Sequence, residues 1–213
     1  MPKRRSKGFA NPAQTWDARF ASSDYIFGTE PNAWLVRHRD LITAGGRVLA
    51  VADGEGRNSV WLAQQGLTVD AFDISSVGVE KARKLADSAG VQVSFTVCDC
   101  ADWHWQPAQY DAVVAIFIQF ADPDTRSRLF AQMMATLKPG GLLLLQGYTP
   151  KQLEYKTGGP PLIDHLYTEA MLRDAFSSAE ILELETYEAV LREGTQHSGH
   201  SALIGAVIRQ PDH

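Results

Sequence analysis

The chain has 213 residues, of which 45% are hydrophobic and 21% charged, and its formal net charge is −5. That balance excludes a largely disordered protein and suits one globular domain with a sizeable core. It also argues against a nucleic-acid enzyme, which draws most of its affinity from basic contacts to phosphate.

The first feature in chain order is the basic cluster Lys3, Arg4, Arg5 and Lys7. It is read as part of a flexible tail over residues 1–12, since termini fray. No apolar run follows it, so it is not a secretory signal, and no stretch approaches the ~20 apolar residues of a membrane span. A cytoplasmic setting without membrane contact is therefore expected. Residues 13–46 form a cover rich in aromatics, with Trp16, Phe20, Tyr25, Phe27 and Trp34. Residues 47–213 form the core of the same single domain.

Arg47 to Ala52 is a buried strand, followed by a helix from about Asn58 to Gln65 that Gly66 ends. Thr68 to Asp73 is a second strand. Ser75 or Ser76 caps the next helix and Gly90 sits just past its end. Val91 to Val97 and Tyr110 to Phe117 are the third and fourth strands. Asp122-Pro123 supplies an N-cap and a proline for the first helical position. Leu129, Phe130, Met133, Met134 and Leu137 then recur at helical spacing as a core stripe. Pro139-Gly140-Gly141 turns the chain into a fifth strand, Leu142 to Gln146. Ile181 to Val190 and Ala202 to Ile208 are two more strands. They form an antiparallel hairpin around the polar segment Arg192 to His200, where a lid could sit. Strands alternating with helices give an α/β fold, a doubly wound Rossmann-like sheet with helices on both faces.

The first strand runs into Asp53-Gly54-Glu55-Gly56-Arg57-Asn58-Ser59. A glycine loop between strand and helix lets the backbone approach a ligand at the carboxyl end of the sheet. Ser59 stands where the dinucleotide fingerprint needs its third glycine, and Asp53 and Glu55 would repel a pyrophosphate. S-adenosylmethionine (SAM) carries an ammonium and a sulfonium, and an acidic loop suits that cation. Asp73, ending the second strand, can accept both ribose hydroxyls. Asp99 can accept the adenine amine, and the backbone N–H of Cys100 can meet a ring nitrogen. Asn58, Ile74 and Ile116 complete the expected cofactor contacts. Cys98 and Cys100 alone do not make a metal site, and none is expected.

Three acids ending three successive strands, together with the glycine loop, resemble the class I SAM-dependent methyltransferase superfamily. Leu137-Lys138-Pro139-Gly140-Gly141 resembles it too. Gly54 to Ser59, Trp16-Asp17-Ala18-Arg19-Phe20, Phe27 to Asn32, and Tyr148 to Leu153 with Gly158 to Pro161 are similar to the tellurite-resistance and thiopurine methyltransferase-like group. The resemblance implies a mostly parallel seven-stranded sheet whose last strand is antiparallel. It implies SAM as cofactor, with Trp16 and Arg19 at its methionine end and Arg19 facing the carboxylate. Gln119 and Gln146 depart from the histidine and glutamate common in such relatives.

The expected activity is methyl transfer to a small-molecule acceptor, a soft nucleophile such as a thiol or chalcogen species, by a monomer or homodimer. Arg192, His197 and His200 are the candidate catalytic residues, able to hold an anion and take a proton. A non-catalytic SAM-binding sensor is the alternative, and a nucleotide-dependent oxidoreductase is disfavoured by Asp53, Glu55 and Ser59.

Overall fold

Short apolar runs and amphipathic segments alternate along the chain, and each run becomes a strand of one sheet. A computed structural model describes residues 11–212; Lys3, Arg4, Arg5 and Lys7 lie outside the described residues. The strands are β1 (Arg47–Val51), β2 (Thr68–Asp73), β3 (Ser94–Val97), β4 (Tyr110–Ile116), β5 (Leu137–Tyr148), β6 (Glu180–Glu193) and β7 (His197–Arg209). Their order across the sheet is β3-β2-β1-β4-β5-β7-β6. All pairings are parallel except those of β7, which runs antiparallel to β5 and β6. The helices are α1 (Pro12–Phe20), α2 (Ala33–Arg37), α3 (Arg57–Gln64), α4 (Ser76–Ala89), α5 (Pro123–Thr136), α6 (Gln152–Tyr155) and α7 (Glu169–Ala175). Among the described residues no helix is long and apolar enough to cross a membrane.

Alternate strand residues feed two cores. Leu49, Val51, Val113 and Leu143 pack with Leu129, Phe130 and Met133 of α5 and with Leu172 of α7. Val48, Val69, Val114 and Leu144 pack on the other face with Leu62 of α3 and with Trp34 and Leu35 of α2. Each fully buried Leu, Val or Phe contributes roughly 1.5–3 kcal/mol.

The caps follow the sequence. Ser75 Oγ accepts from the Gly78 N–H at 3.0 Å, and Gly90 ends α4 in the left-handed region. Asp122 accepts from the Thr125 N–H at 2.9 Å, with Pro123 opening α5. Some boundaries differ. The third strand begins at Ser94 rather than Val91, because the Val91 N–H is taken by Ala86 O at 3.1 Å to finish α4. Leu137 leaves the helical stripe and pairs with Tyr110, ahead of a register shift in β5. The polar segment Arg192 to His200 is strand apart from the turn at 194–196, since β6 and β7 extend through it and pair as far as Glu193↔His197.

Candidate active site

The carboxyl ends of β1, β2 and β4 meet at the glycine loop. Ala52 (φ 49°) and Phe117 (φ 57°) follow β1 and β4 directly, and both hold left-handed backbone without being glycine. Such strain costs of order 1–3 kcal/mol per residue and gathers where ligands bind. In the loop, Gly56 has φ 91°, and a Cβ there would stand 2.6 Å from Ala82 Cβ of α4. No other residue fits, so α3 and α4 pack closely and the loop backbone stays bare.

Asp73 ties β2 to this loop. Its Oδ2 accepts from the Gly54 N–H at 2.9 Å and its Oδ1 from the Ser75 N–H at 2.8 Å. Each oxygen keeps a second acceptor position, as a pair of ribose hydroxyls would need. Burial pushes its carboxyl up to about 6. Asp53 Oδ2 accepts from Ser59 Oγ at 2.5 Å. Burial, with Asp73 adding repulsion, pushes Asp53 up to about 7.

Glu55 corrects the expectation of a doubly acidic loop. It is buried, its Oε1 pairs with Lys81 of α4, and its Oε2 accepts from the Phe27 N–H at 3.3 Å. Its charge is neutralised inside the protein by Lys81. Asn58 is likewise engaged: its Oδ1 accepts from the Asn32 N–H at 2.9 Å, fastening α3 to α2. Asp99 Oδ1 accepts from the Ala101 N–H at 2.9 Å in the turn after β3. Cys100 is half-buried, and burial with Asp99 beside it pushes the thiol far up. Ile74 and Ile116 are half-buried at the ends of β2 and β4.

The cover closes over the loop. Trp16 stacks on Phe20 with centroids 5.5 Å apart, and Phe20 lies against Gly54, 3.3 Å from where a Cβ would stand. Arg19 lies 4.4 Å above the Trp16 ring and donates to Gln196 Oε1 at 3.0 Å. The residue that pins α1 is Asp17, which the sequence reading did not single out. It accepts from Ser75 Oγ at 2.6 Å and from the Val77 N–H at 3.2 Å, capping α4 from another element. Those bonds hold its carboxyl below the usual range.

The hairpin separates the three candidate catalytic residues. Arg192 pairs with Ser198 and His200 with Val190, whereas His197 pairs with Glu193. Arg192 and His200 therefore share the outer, exposed face, and His197 faces inward. His200 Nε2 lies 2.9 Å from Glu188 Oε2. His197 is buried, 4.5 Å from Phe27 and 4.3 Å from Phe117 between ring centroids. Beside it Arg57 Nη2 donates to Glu193 Oε2 at 2.7 Å. Asn32 Nδ2 donates to Gln146 Oε1 at 2.6 Å and to Glu193 Oε1 at 3.1 Å. Arg57 and Asn32 lie within segments the sequence marked, but Glu193 does not, and only the fold brings the three together. Gln119 is spent on structure. It donates to Tyr148 O at 2.9 Å and accepts from the Tyr148 N–H at 2.6 Å.

Residues 48–141 match a family model described as a methyltransferase domain. The chain is 33% identical over 107 residues to the methyltransferase GfsG of Streptomyces halstedii, covering 49% of this chain and 38% of that one. It spans less than two thirds of the length of the curated relatives it matches. Among solved structures it is similar to one from work on the conversion of a disulfide bond into a thioacetal group during echinomycin biosynthesis. There the TM-score is 0.78 at 18% identity, over 94% of each chain. TehB from Haemophilus influenzae gives a TM-score of 0.68 at 17% identity, over 93% of this chain and 66% of that one. Residues 48–141 thus match a methyltransferase domain, and the likeness to solved structures extends the fold over nearly the whole chain.

Proposed function

We propose that the chain, whose residues 48–141 match a methyltransferase domain, transfers a methyl group from SAM to a small-molecule acceptor, a thiol or chalcogen species. The observation that carries this is the loop itself. Bare glycine backbone, the buried Asp73, the half-buried Asp53 and a strained strand end converge under an aromatic cover. SAM supplies a methyl group on sulfonium, whose sulfur leaves readily.

The chain's own residues position and exclude water. Asp73 holds the ribose hydroxyls and Asp99, with Cys100, the adenine. Asp53 faces the cationic methionine end, with Gly54 and Gly56 allowing close approach. Ile74 and Ile116 line the base, and Trp16, Phe20 and Phe27 exclude water. Arg19 turns to the ligand's carboxylate from its place beside Trp16. His197 serves the acceptor, while Arg192 and His200 form the outer rim. The net charge of −5 favours a small acceptor over nucleic acid. The relative GfsG is named a methyltransferase, and the structure similar at TM-score 0.78 comes from work on sulfur chemistry. TehB is similar in fold.

Calorimetric titration with SAM, its demethylated product and NAD tests the cofactor. A panel of thiols, selenite, tellurite and phenols, with mass detection of product, tests the acceptor. Binding of NAD in place of SAM overturns the cofactor reading. Preference for phenols overturns the acceptor reading, and SAM binding with no turnover on any acceptor turns it to a sensor.

A further inference from the structure

Glu193 and His197 stand opposite each other in register at the end of the hairpin, on its inner face. Only 12% of the Glu193 side chain is exposed. Its Oε2 accepts from Arg57 Nη2 at 2.7 Å and faces His197 Nδ1 at 3.5 Å. Among the described residues Nδ1 is buried with no other partner. Phe27 and Phe117 pack against the imidazole and restrict its rotation. Two further buried donors, Tyr148 Oη and Arg57 Nη1, also have no partner among the described residues. A Cβ at Gly158 would lie 3.0 Å from Tyr148 Oη and 3.6 Å from His197 Cδ2, so both border one spot. Unsatisfied buried donors cost about 1–3 kcal/mol each and are kept where a ligand completes them.

We propose that Glu193, anchored by Arg57, is a positioning residue that fixes His197 as the Nδ1–H tautomer, so that Nε2 offers its lone pair to the methyl acceptor. The inference rests on the methyltransferase reading above. The acceptor's S–H or Se–H bond breaks, its electron pair stays on sulfur or selenium to attack the methyl carbon, and its proton passes to Nε2. The imidazolium so formed is balanced by Glu193. The 3.5 Å separation is at the limit of a hydrogen bond and tightens once the ring is charged.

The charges around the ring set its resting state. Glu193 of β6 faces it as an anion, Arg57 of α3 and Arg19 of α1 as cations, and the Tyr148 hydroxyl of β5 stays protonated. Burial first, and then the two cations against Glu193, hold His197 below its ordinary value. It is therefore neutral near pH 7, as a base must be.

Long-range proton–nitrogen NMR of the full chain without ligand, with His197 assigned by H197Q, reads the ring directly. Wild type should show the Nδ1–H tautomer. E193Q should lose that bias, and its His197 should titrate about one pH unit lower. R57Q, which keeps Glu193, should titrate about one unit higher, and it decides the matter if E193Q does not fold. The acid limb of the pH–rate profile with a thiol acceptor should move in the same directions. An unchanged tautomer in E193Q, or shifts of the same sign in both variants, overturns the role of Glu193 whatever the activity. Full turnover in H197Q, alongside the expected shifts in E193Q and R57Q, overturns the proton transfer to Nε2. Absence of methyl transfer from wild type itself, with SAM bound, instead removes the underlying methyltransferase reading, and the NMR arm still decides whether Glu193 sets the ring.

Discussion

Replacing Asp53 with asparagine separates stability from binding. Burial moves its carboxyl from 3.8 up to about 7, so between those values the folded chain holds a proton that the unfolded chain has released. The unfolded state binds fewer protons there, so stability falls as pH rises from about 4 to about 7 and then levels off. Three pH units at about 1.4 kcal/mol each bound the cost of ionising Asp53 at about 4 kcal/mol. Local relaxation lowers this to an expected gain of about 2–3 kcal/mol for Asp53→Asn at about pH 8, a rise of roughly 4–12 °C in Tm for a chain of this size. Asparagine can still accept from Ser59 Oγ, the bond that Asp53 makes at 2.5 Å, so the gain is electrostatic. At about pH 4 the two proteins should melt together. SAM affinity moves the other way. A cation favours the ionised acid, so wild type should bind SAM about tenfold more tightly at pH 8 than at pH 6. The variant should lose most of that slope, and it should lose more affinity for SAM than for adenosine. Scanning calorimetry and titration across pH read both effects. An Asp53→Asn protein no more stable than wild type at pH 8, or one that keeps the full pH slope for SAM, refutes the reasoning.

Three further outcomes are expected. Asp73→Ala should weaken SAM and its demethylated product together, by about 1.5–3 kcal/mol in titration, as charged hydrogen bonds to ribose are lost. Gly56→Ala should lower stability by about 2–5 kcal/mol in chemical denaturation, since it meets both a left-handed backbone and Ala82 of α4. Asp17→Ala should free the cover helix. Hydrogen exchange at residues 12–20 should rise while β1 and β4 stay protected, and stability should fall by about 1 kcal/mol, the worth of a helix cap.

The proposed cofactor side of the site was open to inspection in the sequence because its residues are local. Gly54, Gly56 and Asp73 lie within 20 positions of one another at the ends of two successive strands, and period and turn chemistry place them without help from tertiary structure. The same locality misled at Glu55. Spacing put it in the loop, but its partner Lys81 sits on the next helix, and only the close α3–α4 packing brings the pair together. The proposed acceptor side was hardest to see. The span from Arg192 to His200 looked like a polar loop because charged and small residues have low strand propensity. Pairing across the hairpin overrides that preference, and the alternation it imposes sends His197 inward and His200 outward. Glu193, Arg57 and Asn32 come from three separate parts of the chain, so the motifs that hold Arg57 and Asn32 could not announce their meeting at Glu193.

The place of β7 between β5 and β6 has a kinetic consequence. Leu142 of β5 pairs with Arg209 of β7, across more than 60 positions, whereas Glu193 pairs with His197 across four. The hairpin can zip from its turn in microseconds, but the edge of β5 stays unpaired until that hairpin docks as a unit. During this interval Leu143, Leu144 and Leu145 present an apolar strand edge, the kind that recruits another chain. Slow refolding and concentration-dependent loss of yield should therefore trace to hairpin docking, and variants that stabilise the turn at 194–196 should raise the yield of folded protein.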